Sequence, residues 1–186
     1  MIKLIAAWAA ALLLTAVLAY KIMTPQEPAA QAEAEFSLAA VQTAIENRFE
    51  TVDHLSADEF SAMYKADVLI FDTRPQSEYA VSHIENALQL DPKISGEAFA
   101  KLYAERAAGK TLIFYCSVGH RSSGVAERAA KALPNAGPIY NLRGGIFDWH
   151  NEARPLVNES GAADRVHPYN KKWGQLVTRQ DKLSYD

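Results

Sequence analysis

Residues 111–123, TLIFYCSVGHRSS, constrain this chain more than any other stretch. Thr111–Tyr115 is an apolar run of strand length. It passes directly into a short loop, and the loop leads into GVAERAAKAL, a helix-forming run. A strand, a tight loop and a helix start in that order aim backbone N–H groups and the positive end of a helix dipole at one point. The residue at that point is Cys116, the only cysteine of the chain. A thiol held there loses its proton more readily, and the thiolate is the reactive form. Gly119 allows the loop to curl through positive φ, and Arg121 closes it. The bland alternative is an inert buried thiol, the common state of a free cysteine. The loop position favours a nucleophile.

The flanking sequence alternates between strand and helix patterns. Residues 37–48 read as an amphipathic helix, with Leu38, Val41, Ile45 and then Phe49 on one face. Residues 51–55 are a short first strand, and Ser56-Ala57-Asp58-Glu59 is a capping box that opens a helix through Tyr64. Residues 67–71 hold the continuous apolar run VLIF, so this strand is expected to be buried on both faces. A short helix from Pro75, a strand at 87–90 and a helix at 94–107 follow, with Phe99, Leu102 and Tyr103 on one stripe. After the Cys116 loop comes a helix to Leu133, burying Val125, Ala129 and Leu133. A last strand at Ile139–Leu142 and a helix at Gly145–Asn151 complete the pattern. Alternation of this kind predicts an α/β fold with a parallel sheet covered on both sides. In such a sheet, ligands bind beyond the carboxyl ends of the strands. Asp72-Thr73-Arg74, Cys116 and Arg143-Gly144-Gly145 each follow a strand, so they are expected at one rim.

Three blocks carry a resemblance. CSVGHRS places a Gly three residues and an Arg five residues after the cysteine. VLIFDTRPQSEYAVSHIENALQL, from Val68, holds Asp-x-Arg, then Glu-Tyr, then His-Ile-x-x-Ala. IYNLRGGIFDWHNEARPLV, from Ile139, holds Gly-Gly, an aromatic-rich helix and a Pro-hydrophobic exit. Together, in this order, they resemble single-domain rhodaneses over roughly residues 49–157. The resemblance implies a five-stranded parallel sheet with helices on both faces and Cys116 at its centre. It implies a sulfurtransferase: Cys116 takes a sulfane sulfur from thiosulfate or a persulfide, and a thiol, free or on a protein, or cyanide removes it. The loop residues Ser117, Val118, Gly119, His120, Arg121 and Ser122 would bind substrate, with Asp72, Arg74, Arg143 and Gly144 in support.

Four residues separate Cys116 from Arg121. Phosphatases and arsenate reductases that share this fold carry one more, so the shorter loop implies a smaller cradle suited to sulfur. Rhodaneses that favour thiosulfate carry extra basic loop residues, where this loop has only His120 and Arg121. A thiol-borne persulfide is therefore as plausible a donor as thiosulfate. A different class of reading is a binding or sulfur-carrier module that turns nothing over. Arg121 reads first as a loop organiser, and Asp72 and Arg74 as fixing their own loop. Glu78 and His83 hold a turn together. His120 is expected to face solvent, although a charged His120 would lower the thiol's pKa. Phe147 and Trp149 are core residues, and Tyr169 and Trp173 anchor a tail.

Composition narrows the partners. The net charge is −3, with acids and bases interspersed, which gives no footprint for nucleic acid. One cysteine excludes an internal disulfide and a Cys-based zinc site. His54, His150 and His167 show no ligand spacing, so neither metal nor cofactor is expected. At the N-terminus, Lys3 precedes an apolar run from Leu4 to Tyr20, with Lys21 after it. The first 23 residues read as a signal peptide cut near Ala32 or Ala34, or as a short membrane anchor. Both place the domain outside the cytoplasm. Residues 24–36 read as a linker, 37–157 as the domain, and 158–186 as a tail packed on it.

Overall fold

The computed structural model describes residues 36–63 and 67–185. The expected N-terminal signal peptide or anchor, its linker up to residue 35, and the helix end at Tyr64 lie outside the described residues. Among those described, no helix is long and apolar enough to cross a membrane.

The main sheet has five strands, all parallel: β1 (Asp53–Leu55), β2 (Val68–Asp72), β3 (Leu88–Gln89), β4 (Thr111–Tyr115) and β5 (Ile139–Leu142), in the order β1-β5-β4-β2-β3. β4 lies at the centre, as the sequence led us to expect. Among the described residues, seven α-helices accompany the strands: α1 (Leu38–Arg48), α2 (Ala57–Met63), α3 (Gln76–Val81), α4 (Gly96–Ala107), α5 (His120–Ala132), α6 (Gly145–Asn151) and the short α7 (Lys171–Gly174).

The two central strands show why the sheet is covered on both sides. Successive side chains of a strand point to opposite faces. Leu69 and Phe71 of β2, with Leu112 and Phe114 of β4, enter one core with Phe99, Val125 and Ala129. Ile70, Ile113 and Tyr115 enter the other, with Phe60, Ile146 and Phe147. Parallel register sets Phe71 directly beside Phe114, and their rings stack at 5.0 Å.

Local sequence signals account for the helix starts. Ser56 and Glu59 form the expected reciprocal cap: the Ser56 amide donates to Glu59 Oε2 (2.8 Å) and the Glu59 amide to Ser56 Oγ (3.2 Å). Ser37 and Ser95 cap α1 and α4 by accepting from Ala40 and Ala98. One stripe differs from expectation. Phe99 and Ala107 are buried and Tyr103 partly so, whereas Leu102 is 66% exposed. The buried line of α4 runs at i+4 spacing, and Leu102 lies about 100° around the helix from Tyr103.

Residues 158–186 do more than lie over the domain. Leu156–Asn158 (β6) and Gly161–Ala163 (β7) form a hairpin that the sequence reading missed. Its signal is the turn Asn158-Glu159-Ser160-Gly161, where Asn158 Oδ1 accepts from the Ser160 amide and Gly161 takes φ 112°. Beyond it, Val166, Leu176 and Val177 are buried in the same core as Ile113 and Phe147. Asn151 brackets that segment, donating to the Leu176 carbonyl (3.0 Å) and accepting from the Thr178 amide (2.8 Å).

Two stability outcomes are expected. Phe114→Ala removes a fully buried ring from the sheet's centre and should destabilise the domain by about 3–5 kcal/mol, read as a lowered urea midpoint. His150 is fully buried on α6, with Nε2 at 3.0 Å from the Asp164 carbonyl and no hydrogen-bond partner for Nδ1 among the described residues. Burial depresses its pKa below 6.5. Its contribution is therefore present above the unfolded-state pKa and lost as pH falls through the folded one. Urea midpoints should drop between about pH 7.5 and pH 5, and less steeply in His150→Gln.

Candidate active site

β4 ends at Tyr115, and the next residue is Cys116, 1% exposed. The loop turns at Gly119, whose φ of 102° is left-handed, and α5 starts at His120. A β-carbon at Gly119 would lie 2.9 Å from Asn141 Nδ2, so this position needs glycine for its dihedral and for space. The turn brings the amides back over the sulfur. The Gly119 N–H donates to Cys116 Sγ at 3.2 Å, and the backbone N–H groups of Val118 and Ser122 also face it. The Ser122 hydroxyl sits between the sulfur and the Gly119 carbonyl, 3.1 Å from the latter. Backbone dipoles arranged in this way form an anion-binding concavity.

Burial is the largest influence on the thiol and acts to raise its pKa. The charge of Arg121 and the hydrogen bonds from Ser122 and Val118 outweigh it and hold the pKa below the ordinary value. Arg121 is fixed for that task. Its guanidinium donates to both oxygens of Glu78, at 3.0 and 3.1 Å, and to Ser117 Oγ at 2.8 Å. Ser117 Oγ in turn donates to Glu78 Oε2 at 3.0 Å. Glu78 is 2% exposed, so α3 supplies the buried carboxylate that organises the loop. The sequence reading assigned Glu78 to a turn. It read Arg121 as the organiser of the loop, and the missing step was that α3 packs against that loop.

The remaining residues fall into four groups. Gly144 and Gly145, at φ 68° and 57°, lead into α6, whose first amides clamp the loop: Ile146 N–H to the Cys116 carbonyl (2.9 Å) and Phe147 N–H to the Ser117 carbonyl (3.0 Å). A β-carbon at Gly145 would overlap both carbonyls. Asp72 and Arg74 form a completely buried pair, with Arg74 Nη2 at 2.6 Å from Asp72 Oδ2 and from the Ser82 carbonyl. They fix the crossover after β2 beside the site and do not line it. The Arg143 side chain is half-exposed and leaves the rim to bind Glu46 of α1 at 2.6 Å. His83 stacks on Tyr79 at 3.8 Å, away from the thiol.

A cavity of about 320 Å³ opens on the sulfur. Ser117, Val118, His120 and Arg121 line it from the loop, and Tyr169 and Trp173 from the segment after β7. Both aromatics were expected only as anchors. Trp173 does pack edge-on against Phe36, while Tyr169 is 52% exposed and lies under the Arg121 guanidinium, 5.4 Å from its ring centre. His120 is exposed and meets Phe49 edge-on. Partial burial, with the charges of Arg48 and Arg121, depresses its pKa below 6.5, so at neutral pH it lends the thiol no charge. No cluster suited to a metal ion occurs among the described residues.

Comparison with known proteins now decides the family. The profile of the rhodanese-like domain matches residues 56–152, more than half of the chain. The chain belongs to the rhodanese-like domain family. Among curated relatives, it is 29% identical over 113 residues to a tRNA uridine(34) hydroxylase of Enterobacter sp. (strain 638), covering 58% of this chain and 31% of that enzyme. It is 31% identical over 107 residues to the tRNA uridine(34) hydroxylase of Escherichia coli O139:H28, covering 55% and 29%. The chain thus spans under a third of the length of those relatives. Among solved structures, the thiosulfate sulfurtransferase of Pseudomonas aeruginosa superposes with a TM-score of 0.53 at 20% identity, over 77% of this chain and 26% of that one. That likeness is one of fold. The rhodanese-like profile ends at residue 152, so the segment carrying Tyr169 and Trp173 lies beyond it.

The electrostatics of this rhodanese-like loop can be tested directly. Arg121→Gln removes the charge that favours the thiolate, so the Cys116 pKa should rise. Alkylation by iodoacetamide at pH 7 should slow by about tenfold per unit of that rise, with the midpoint of the rate–pH curve moved to higher pH. An unmoved midpoint would leave the amides alone responsible.

Proposed function

We propose that the chain is a sulfurtransferase that carries a sulfane sulfur on Cys116, from a persulfide or thiosulfate donor to a thiol or cyanide acceptor. The observation that carries this reading is the buried Cys116 sulfur faced by the amides of Val118, Gly119 and Ser122, with Arg121 as its counter-ion. The Cys116 thiolate attacks the outer sulfur of R–S–SH, and the S–S bond breaks. Its electron pair leaves with R–S⁻, giving Cys116–S–SH. With thiosulfate the leaving group is sulfite. An acceptor thiolate R′–S⁻ then attacks the outer sulfur, forms R′–S–SH and returns the Cys116 thiolate. No external oxidant or reductant is consumed. The amides serve both halves, because each begins or ends with negative charge on a buried sulfur.

The tRNA hydroxylation named for the relatives belongs to proteins of which this chain matches under a third. The mixed surface charge supports keeping it there. The N-terminal apolar run supports a domain held outside the cytoplasm. Intact mass of the protein isolated from membranes would report whether those residues remain.

Intact-mass measurement also tests the chemistry. Incubation with a persulfide or thiosulfate should add the mass of one sulfur atom, cyanide should remove it as thiocyanate, and Cys116→Ser should gain nothing. No added sulfur with any sulfane donor would contradict the reading. If Cys116→Ser also left partner capture intact, a binding module would take its place.

A further inference from the structure

The segment after β7 supplies two of the seven residues that line the cavity, and both are aromatic. We propose that Tyr169 and Trp173 are specificity residues that select a small organic persulfide with an apolar or aromatic body over inorganic thiosulfate. This rests on the sulfurtransferase reading of the same site and names its substrate class.

Charge at the mouth is the first argument. The groups that meet there are the Cys116 thiolate, the Glu78 carboxylate and the Arg121 guanidinium. Arg121 is shared between the other two, with both Glu78 oxygens within 3.1 Å. Its remaining face lies over the Tyr169 ring. Partial burial and two neighbouring arginines depress the His120 pKa, which disfavours its charge. Arg48 and Lys172 lie outside the lining, over the rings of Phe49 and Phe36. A dianion such as thiosulfate therefore finds no unshared permanent cation among the described residues that line the cavity, whereas an R–S–SH donor brings at most one negative charge, on the sulfur that the amides already serve.

Size and surface give the second argument. A cavity of about 320 Å³ falls within the range of small-molecule pockets and far exceeds a small inorganic oxyanion. Val118, Tyr169 and Trp173 give it apolar walls. Apolar surface of the leaving group R gains free energy there in proportion to the area buried. Aromatic faces accept such a group at low entropic cost, having only two side-chain torsions to fix.

The third argument is that the wall is built rigidly. Asn170 caps α7 by accepting from the Trp173 amide at 3.1 Å. The Tyr169 amide donates to His167 Nδ1 at 3.0 Å, holding Tyr169 at φ 66°. Val166, Leu176 and Val177 root both flanks in the core, and Ser82 Oγ holds the Arg165 carbonyl at 2.6 Å. The aromatic wall is thus preorganised before a donor arrives.

The test measures second-order loading of Cys116 by intact mass on the full chain, with benzyl persulfide, methyl persulfide and thiosulfate. The native chain should prefer benzyl to methyl persulfide by about tenfold, and either to thiosulfate. Tyr169→Ala truncates an exposed side chain and Trp173→Phe keeps the contact with Phe36. Each should lower the benzyl-to-methyl ratio by about threefold or more, with the urea midpoint reporting that the fold is kept. Equal ratios in all chains, or thiosulfate as the fastest donor, would overturn the proposal. Benzyl methyl sulfide, which cannot transfer sulfur, separates this inference from the reading beneath it. If it binds Cys116→Ser and loses affinity in Cys116→Ser/Tyr169→Ala while no donor loads the native chain, the aromatic wall stands and sulfur transfer falls. If it fails to bind while loading proceeds, the wall falls alone.

Discussion

A sulfur anion removed from water must be solvated by something else, and at Cys116 the backbone takes that role. Burial alone would keep the thiol protonated. Three amides and one guanidinium reverse that preference, and each is where it is because of a structural decision made elsewhere. β4 ends one residue before the sulfur. Gly119 turns the chain, and α5 begins immediately, so the loop has no room to point its N–H groups anywhere but inward. The anion site is a by-product of a short connection between a central strand and a helix.

The surrounding elements work to keep that connection from relaxing. α6 grips the Cys116 and Ser117 carbonyls from one side, through a glycine pair that permits the approach. α3 presents Glu78 from the other, and Glu78 orients both Arg121 and Ser117. The buried Asp72–Arg74 pair pins the crossover that carries α3. Such a pair adds little net stability against an apolar replacement, yet breaking it would leave a buried charge uncompensated. Its consequence here is positional: a shift after β2 would move Glu78, and with it the counter-ion of the thiolate.

Much of this was legible in the sequence, because the determinants are local. Continuous apolar runs marked β2 and β4, the Ser56 capping box marked one helix start, and strand–Cys–Gly–Arg–helix marked the loop. The rim was legible in part: Cys116 and the Gly144–Gly145 pair meet, while Arg143 turns away to Glu46, which lies on a helix whose docking no local pattern reports. Glu78 and Tyr169 escaped for the same reason. A carboxylate in a short helix and an aromatic in an aperiodic segment look structural until the fold carries each across to the loop. Leu102 shows the opposite failure, an apolar residue at helical spacing that the true packing line bypasses. The hairpin at β6 and β7 is short, and its turn chemistry was its only signal.

One titration reaches the centre of this account. Because the chain has a single cysteine, labelling it with carbon-13 at the β position gives one resonance whose shift follows ionisation of Cys116. The midpoint should fall below the ordinary range of a free thiol, about 8.5. A midpoint at or above that range would show that burial prevails over the amides and Arg121, and would contradict the account.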